Sequence, residues 1–260
     1  MYTISLDSVC MMRGDTEIIS EINHVFSPGS VTVILGFSGS GKSTLLKLAA
    51  GLLTPSSGIV RVNEKSFFQL RRGEEEAFRK NSGFIFQDAA LWANQTVFEN
   101  VAFPLKVHFP HISGEELSGK VLETMAEVGY RDKPERRPSQ ISGGEQKMIG
   151  IARAIVSHPK LLFVDMPLLN LDSASEARVL ELLKRLKIEG TSMIISSGSS
   201  HLISLLADHL LIIDRGKIVE SGPFNVVKRS SHPVTKGVLA SVLEHVSSYD
   251  DDILNLLEDV

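Results

Sequence analysis

Cysteine, charge excess and long apolar runs are what this sequence has least of. Its 260 residues include one cysteine, Cys10, which excludes an internal disulfide framework and suits a reducing compartment. No apolar run approaches the roughly 20 residues of a membrane-spanning helix, and the first residues lack a signal-peptide pattern. A net charge of -4 gives no basic surface for nucleic acid. We therefore expect a cytoplasmic protein that binds no nucleic acid and reaches a membrane only through a partner.

A glycine-rich loop is the most informative feature that is present. Residues 36–44 read GFSGSGKST, after an apolar run at 31–35 and before a helical pattern at 45–50. The order of strand, loop and helix is that of a Walker A loop, whose main-chain N–H groups wrap a polyphosphate. An ordinary glycine turn before a helix is the alternative, but a chance match to the four fixed positions is expected in on the order of one per hundred chains of this length. The loop predicts a nucleotide site formed by Gly36, Ser38, Gly39, Ser40, Gly41, Lys42, Ser43 and Thr44.

Individual side chains of this loop have expected roles. Lys42 would hold the β- and γ-phosphates of ATP, the Ser43 hydroxyl would ligate Mg²⁺, and Thr44 would support the α-phosphate side. Because these contacts need only the loop and the start of the following helix, they predict nucleotide binding without predicting the reaction.

The rest of the chain divides by its hydrophobic pattern. Short apolar strands alternate with helices up to Gln87 and again from Leu161 onward, whereas the stretch between them is helical with proline-bearing loops. Ser113 and Ser142 read as helix caps. We predict that 1–88 and 158–222 form two parts of an ATP-binding core and that 89–157 form a helical subdomain. A C-terminal extension at 223–260 would carry short helices at 238–246 and 253–257.

A second motif places the loop in a family. Residues 141–147 read ISGGEQK, directly before a helix that leads to the strand ending at Asp165, and resemble the signature motif of ABC-type ATPases. With Gln87 and Asp165 in the matching order, the resemblance covers roughly residues 2–222. It implies an α/β P-loop NTPase fold: a RecA-like core with an antiparallel β lead-in and an inserted α-helical subdomain.

The resemblance implies roles that spacing alone does not give. In this family two domains pair head to tail, and ATP lies between the Walker A loop of one and the signature motif of the other. Gln87 matches the Q-loop glutamine, which touches Mg²⁺ or the attacking water, and Asp165 matches the Walker B aspartate, which holds Mg²⁺ through water. The residues expected to reach the partner's nucleotide are Ser142, Gly143, Gly144, Glu145 and Asp172. Ser142 and Asp172 also have a plainer interpretation as helix caps.

A narrower resemblance concerns the transported substrate. Residues 86–105 look like the corresponding segment of the ATPases of Mla-type and related Mce-linked lipid transporters. Arg13, followed by Gly14, stands where many ABC ATPases place a tyrosine against adenine; it could stack on the base or be a solvated turn residue. The resemblance implies phospholipid transport, with the surface between Asp88 and Leu105 receiving an integral-membrane permease at the inner face of the cell membrane. Trp92 and Phe98 could equally belong to the local core.

Two positions depart from the family where chemistry is expected. Met166 stands in place of the glutamate that orients or deprotonates the attacking water, and Gly198 stands in place of the switch histidine. A thioether cannot act as a general base. His201 is a possible displaced substitute, and Met148 replaces the arginine that commonly follows the signature. The chain is therefore predicted to bind MgATP but to hydrolyse it slowly or not at all at its own site.

Several alternatives remain open on the sequence. The chain could complete the competent site of a different ABC ATPase in a heterodimer, or form a homodimer that turns over slowly. It could also be a non-transport ABC protein that acts as an ATP-gated switch or scaffold. The tail beyond Pro223 resembles in position the extension by which lipid-transport ATPases clasp each other or a small regulatory protein.

Overall fold

A computed structural model describes residues 1–244, with side chains through Val242. The chain divides into two compact units. One unit contains residues 2–69 together with the chain from Met193 onward, and the other contains residues 70–192. Helices and strands are numbered below in chain order. The predicted tail helix at 253–257 lies outside the described residues.

The first 69 residues form an antiparallel sheet and the strand and helix that flank the phosphate loop. Gly14, with φ of 60°, lies in the tight turn that joins the first two strands. The elements are β1 (Ile4–Arg13), β2 (Thr16–Phe26), β3 (Val31–Leu35), α1 (Lys42–Ala49), β4 (Ser57–Val62) and β5 (Lys65–Ser66). The sheet order β2-β1-β4-β5 is antiparallel throughout. The predicted β lead-in is therefore confirmed.

Residues 70–192 contain most of the helices. The elements are α2 (Arg72–Lys80), β6 (Ser82–Ile85), α3 (Val97–His108), α4 (Gly114–Glu127), α5 (Gly143–Ile155), β7 (Leu161–Asp165) and α6 (Ser173–Ile188). Strands β6 and β7 run parallel, with Ile85 opposite Val164. Every residue of β7 is buried, as its unbroken apolar run up to the aspartate predicts.

Short polar side chains fix where these helices begin. The Ser142 hydroxyl accepts from the Glu145 N–H at 3.2 Å, while the Glu145 carboxylate accepts from the Ser142 N–H at 2.8 Å. Thr96 and Glu99 form the same reciprocal cap at the start of α3. Such caps satisfy main-chain donors that a helix start leaves open. The Ser142–Glu145 cap fixes where α5 begins, and therefore where the glycines of its first turn lie.

The chain then completes the sheet around β3. The elements are β8 (Ser192–Ser196), α7 (Ser200–Leu206), β9 (His209–Asp214), β10 (Lys217–Pro223), α8 (Phe224–Val227) and α9 (Pro233–Glu244). Strand β3 lies between β8 and β9 and is parallel to both, whereas β10 is antiparallel to β9. All five residues of β3 are buried, so the strand before the phosphate loop is a central one.

Helix α9 differs from its prediction and is fastened by a polar network. The sequence places this helix at 238–246, but it begins five residues earlier, at Pro233, and the described part ends at Glu244. One carboxylate oxygen of Glu220 accepts from the Ser230 hydroxyl at 2.5 Å and from the Thr235 hydroxyl at 2.6 Å. Thr235 is fully buried, and Val238 and Val242 on the same helix are buried with it. These hydrogen bonds hold the pKa of the Glu220 carboxyl below its usual value.

None of the helices within residues 1–244 combines the length and the apolar character that crossing a membrane would require.

Candidate nucleotide-binding site

The phosphate loop connects β3 to α1, and its glycines are required by close contacts. A Cβ atom on Gly36 would lie 2.2 Å from the Ile213 carbonyl oxygen and 2.5 Å from Ser40 Oγ. Gly41 has φ of 104°, and a Cβ atom there would lie 2.9 Å from the Ile19 side chain. Larger residues at these two positions would displace the neighbouring strands. The loop is thus fixed in the bare main-chain form that a phosphate can approach.

The Lys42 side chain folds back over this loop. Its ammonium donates to the carbonyl oxygens of Gly36 at 2.7 Å and Phe37 at 2.9 Å. Ser40 Oγ is buried and has no hydrogen-bond partner within the part of the chain that the structure describes. A buried hydroxyl normally finds a partner, so this one fits a ligand oxygen. An ammonium, an orphaned hydroxyl and a helix start at one loop suit the phosphates of ATP.

The other candidate nucleotide-binding residues of this unit are exposed at the surface. Arg13 ends β1 and is exposed, which fits both of its sequence interpretations. Gly198 is an exposed residue in the turn between β8 and α7, and no atom of the described residues would come within 4 Å of a Cβ there. His201 is an exposed residue in the first turn of α7. The turn after β8 therefore contains no imidazole at the position where the family resemblance expects one.

The residues of the other unit that are expected to bind Mg²⁺ or the attacking water lie at the ends of two adjacent strands. Gln87 comes two residues after β6, and Asp165 is the last residue of β7; because the strands are parallel, both lie at the same edge. Asp165 is 2% exposed, whereas Gln87 is exposed. Met166 follows with φ of 45°, a left-handed conformation that is unfavourable for a residue with a side chain. Position 166 is a strained turn that presents a thioether instead of a carboxylate.

A residue that the sequence analysis left without a role lies between these two loops. Lys147, in the second turn of α5, is only 4% exposed. Its ammonium donates to the carbonyl oxygens of Gln87 at 2.8 Å, Met166 at 3.0 Å and Phe86 at 3.3 Å. Burial lowers the pKa of Lys147 to about 8, and the carboxylates of Asp165 and Asp88 oppose that shift. No signal in the neighbouring sequence marks this lysine, since a lysine on a helix is usually solvated.

The loop after Gln87 is held by a second cation of α5. Arg153 donates to the carbonyl oxygens of Ala89 at 2.7 Å and Ala90 at 2.8 Å. Both alanines are left-handed, with φ of 62° and 49°. The Arg153 guanidinium also lies 5.2 Å from the centre of the Trp92 ring. Helix α5 therefore fastens the main chain from Phe86 to Ala90 and the start of the predicted permease surface.

The signature motif forms the first turn of α5. A Cβ atom on Gly143 or Gly144 would meet nothing within 4 Å, so this helix end is open on the described part of the chain. Asp172 caps α6 by accepting from the Ser175 N–H at 2.9 Å, and this hydrogen bond is the largest cause of the lowered pKa of its carboxyl. The helix-cap interpretations of Ser142 and Asp172 are therefore correct as local structure. They leave the predicted contact with a partner's nucleotide a prediction.

Comparison with known proteins agrees with this architecture. Residues 19–169 match the family model of the ABC transporter. The methionine import ATP-binding protein MetN of Burkholderia thailandensis is 35% identical over 233 residues, covering 89% of this chain and 67% of the relative. MetN of Cereibacter sphaeroides is 35% identical over 226 residues, covering 86% of this chain and 64% of the relative. The chain thus spans about two thirds of the length of these relatives.

Solved structures show the same fold. The ATP-binding cassette MJ0796, in a dimeric post-hydrolysis state bound to ADP and Pi, superposes with a TM-score of 0.78 at 27% identity. The match covers 85% of this chain and 98% of that one. A second dimeric structure of MJ0796 gives the same TM-score at 28% identity. The phosphate loop, the P-loop NTPase fold and the family match together show that this chain belongs to the ABC transporter family as an ATP-binding domain that binds ATP with Mg²⁺.

Proposed function

We propose that this chain is the ATP-binding subunit of an ABC transporter that clamps MgATP and hydrolyses it slowly or not at all at its own Walker site. Met166 is the observation that carries the proposal. It occupies the turn directly after Asp165, and a thioether cannot take a proton from water at any useful pKa. Gly198 adds to this, since it supplies no imidazole to the turn after β8.

The residues that would hold the nucleotide are intact. Lys42, the Ser40 hydroxyl and the main-chain N–H groups of residues 36–44 would bind the phosphates, and Arg13 would lie against the base. Ser43, Gln87 and Asp165 would hold Mg²⁺, which neutralises phosphate charge when it is bound. Because phosphate and metal contacts do not require a general base, binding is expected to be strong while cleavage is slow.

The ATPase rate of the purified chain tests this division. We expect the wild type to bind MgATP and hydrolyse it slowly, and Met166→Glu with Gly198→His to raise the rate by about 10²- to 10⁴-fold. Met166→Gln with Gly198→His is the matched control, because an amide has the glutamate's shape without its basicity. A wild-type chain with an ordinary transporter rate would contradict the degenerate site.

A partner domain would complete the functional unit. The residues that would face the partner's nucleotide in a head-to-tail dimer are Ser142, Gly143, Gly144, Glu145 and Asp172. MJ0796 is itself described as dimeric. In a heterodimer these residues serve a site whose catalytic glutamate belongs to the other chain. A slow homodimer is the alternative. Mixing this chain with the product of a neighbouring gene that encodes an intact cassette distinguishes them, because only a heterodimer restores fast hydrolysis.

Two resemblances bear on the transported substrate. The resemblance of residues 86–105 favoured phospholipid transport, whereas the curated relatives named above are methionine importers. These relatives support methionine import over lipid transport, although about one third of their length has no counterpart in this chain. We expect deletion of the gene to abolish uptake of labelled methionine. Normal methionine uptake together with an altered phospholipid distribution would favour the lipid assignment.

A permease is the expected membrane partner. Trp92 and Phe103 pack together with ring centres 4.5 Å apart, yet they remain 42% and 47% exposed. Such aromatic side chains suit a helix of a permease at the cytoplasmic face. We expect this chain to co-purify with a multi-span protein from detergent-solubilised membranes and Trp92→Ser to weaken that association. Recovery without a permease would favour the ATP-gated switch or scaffold. A small regulatory protein at the tail beyond Pro223 would appear in the same preparation.

A further inference from the structure

We propose that Lys147 is a positioning residue for the magnesium side of the nucleotide site, holding the main chain of Gln87 and Met166 on helix α5. The inference rests on the proposed function, since it assumes that Gln87 and Asp165 act on the metal. Nothing in the family match or in the relatives' names assigns a role to this lysine.

The Lys147 ammonium has a full set of hydrogen-bond acceptors around it. Three main-chain carbonyl oxygens, of Phe86, Gln87 and Met166, lie within 3.3 Å of Lys147 Nζ. A protonated amine has three N–H donors and no acceptor, so these three carbonyls match its full donor set. With the side chain 4% exposed, water cannot replace it easily. The cation is thus part of the structure of both loops.

The loops at Gln87 and Met166 both depend on a hydrogen bond from Lys147. Met166 is left-handed, a conformation that costs roughly 1 kcal/mol or more outside glycine and persists only when its surroundings hold it. Its carbonyl is held by Lys147 at 3.0 Å. Gln87 is exposed and follows a strand end, so the 2.8 Å bond to its carbonyl restricts how its side chain can be placed. Loss of the donor would loosen the residues on both sides of Asp165 and Gln87.

Lys147 contributes a charge as well as hydrogen bonds, and the two effects can be separated by substitution. Asp165 and Asp88 interact electrostatically with the ammonium. Removing the charge would therefore change metal affinity even if the loops did not move. Two neutral replacements remove this ambiguity. Glutamine keeps two N–H donors at the end of a shorter chain, whereas methionine has a similar volume and no donor. A difference between Lys147→Gln and Lys147→Met reports positioning, since neither carries a charge.

The experiment measures ATP affinity by calorimetry, once in EDTA and once with Mg²⁺, for the wild type and both variants. We expect affinity in EDTA to be equal in the two variants, because the phosphate loop does not depend on Lys147. We expect the gain on adding Mg²⁺ to be about 10-fold smaller in Lys147→Met than in Lys147→Gln, the size of effect seen when a residue that orients a metal ligand is removed. Lys147→Arg, which keeps the charge and the donors, should keep most of the gain.

Several results would overturn the inference. Equal magnesium gains in the glutamine and methionine variants would show that the donors position nothing. An equal loss in EDTA and in Mg²⁺ would show a general structural defect. A wild type that binds ATP but shows no magnesium gain would contradict the proposed metal residues and remove the basis of the inference. Failure to bind ATP at all would contradict the proposed function itself.

A second measurement does not depend on nucleotide. Hydrogen exchange of peptides covering 86–90 and 165–168 should be faster in Lys147→Met than in Lys147→Gln, with the rest of α5 unchanged. If the methionine variant does not fold, Lys147→Leu takes its place, because leucine also has no charge and no donor. Thr124→Val is the matched control, because it removes a buried hydroxyl that donates to Lys120 within α4. Faster exchange in that control would overturn the inference.

Discussion

Gly237 of α9 faces Phe37 of the phosphate loop, so closely that a Cβ atom on the glycine would lie 3.5 Å from Cζ of the phenylalanine ring. Phe37 is the residue after the first glycine of the loop and remains 43% exposed. Helix α9 therefore contacts the loop that would bind the phosphates. We therefore expect substitutions in α9 to change the affinity for ATP.

Gly237→Leu tests this contact. The added side chain would overlap the Phe37 ring, and overpacking of this kind costs about 1–3 kcal/mol. We expect the Kd for ATP to rise at least about five-fold, measured by calorimetry. Gly237→Ala is the control, because its methyl group makes an ordinary contact and alanine favours the helix. ATP binding in the leucine variant equal to that of the alanine variant would contradict the coupling.

Thr235→Val tests the network that fastens α9. The buried hydroxyl donates to Glu220 at 2.6 Å, and its loss leaves a carboxylate oxygen with one partner fewer. We expect the free energy of unfolding to fall by about 1–3 kcal/mol, seen as a lower Tm in a thermal melt. Thr235→Ser keeps the hydroxyl and should recover most of the loss. If serine and valine lower the Tm equally, the methyl group and not the hydrogen bond is responsible.

Arg153→Met tests the second cation of α5. Its two hydrogen bonds, to Ala89 and Ala90, hold consecutive left-handed residues, and burial lowers the pKa of the guanidinium. We expect a loss of about 3 kcal/mol in the free energy of unfolding, because charged hydrogen bonds at buried sites are costly to break. Trp92 is the only tryptophan, so its emission should shift in the same variant.

Arg72→Met is the control for this change. The Arg72 side chain is 93% exposed and pairs with Glu76 on the surface of α2, where an ion pair contributes little. We expect an unchanged emission spectrum and a Tm close to that of the wild type. An Arg153 variant that behaves in the same way would show that the loop after Gln87 holds its shape unaided.

His24 should give the protein an acid-sensitive step. Burial, with a contribution from the charge of His209, lowers the pKa of His24 to about 4. The unfolded chain, with a histidine pKa near 6.5, then binds more protons than the folded one between pH 4 and 6.5. Stability is therefore fully present above pH 6.5 and falls as the pH drops toward 4, by up to about 3 kcal/mol.

Chemical denaturation at a series of pH values measures this step. His24→Phe should flatten the decline between pH 6.5 and 4, because the group that takes up the proton is gone. His111→Gln removes an exposed histidine and should leave the decline unchanged. Identical pH profiles for the wild type and His24→Phe would show that other groups cause the acid sensitivity.

The parts of the site that could be predicted have short-range sequence signals. The phosphate loop is fixed by glycines at required positions and by Lys42 at the start of a helix, so one local pattern specifies it. Asp165 was predictable because an unbroken apolar run ends there, and the cap of α5 because Ser142 and Glu145 stand three residues apart. In each case neighbouring residues in the chain determine the structure.

The parts that could not be predicted depend on contacts between distant segments. Nothing near Lys147 indicates that the carbonyl oxygens of Phe86 and Met166 surround it, since a lysine on a helix is usually solvated. The sequence gives no signal of the left-handed turn at Met166 either, because methionine does not favour this conformation and the surrounding structure imposes it. The early start of α9 had a usable signal, since proline is well suited to the first turn of a helix.

The buried hydroxyl of Ser40 has a consequence beyond the site. Among the described residues this hydroxyl has no hydrogen-bond partner, which lowers the stability of the ligand-free chain by about 1–3 kcal/mol. A phosphate oxygen that accepts from it returns that amount. Bound ATP adds further stability by mass action. In a cell, proteases remove chains in proportion to their unfolded population. We therefore expect the abundance of this subunit to follow the ATP level, so that energy-starved cells lose it by turnover before its synthesis changes.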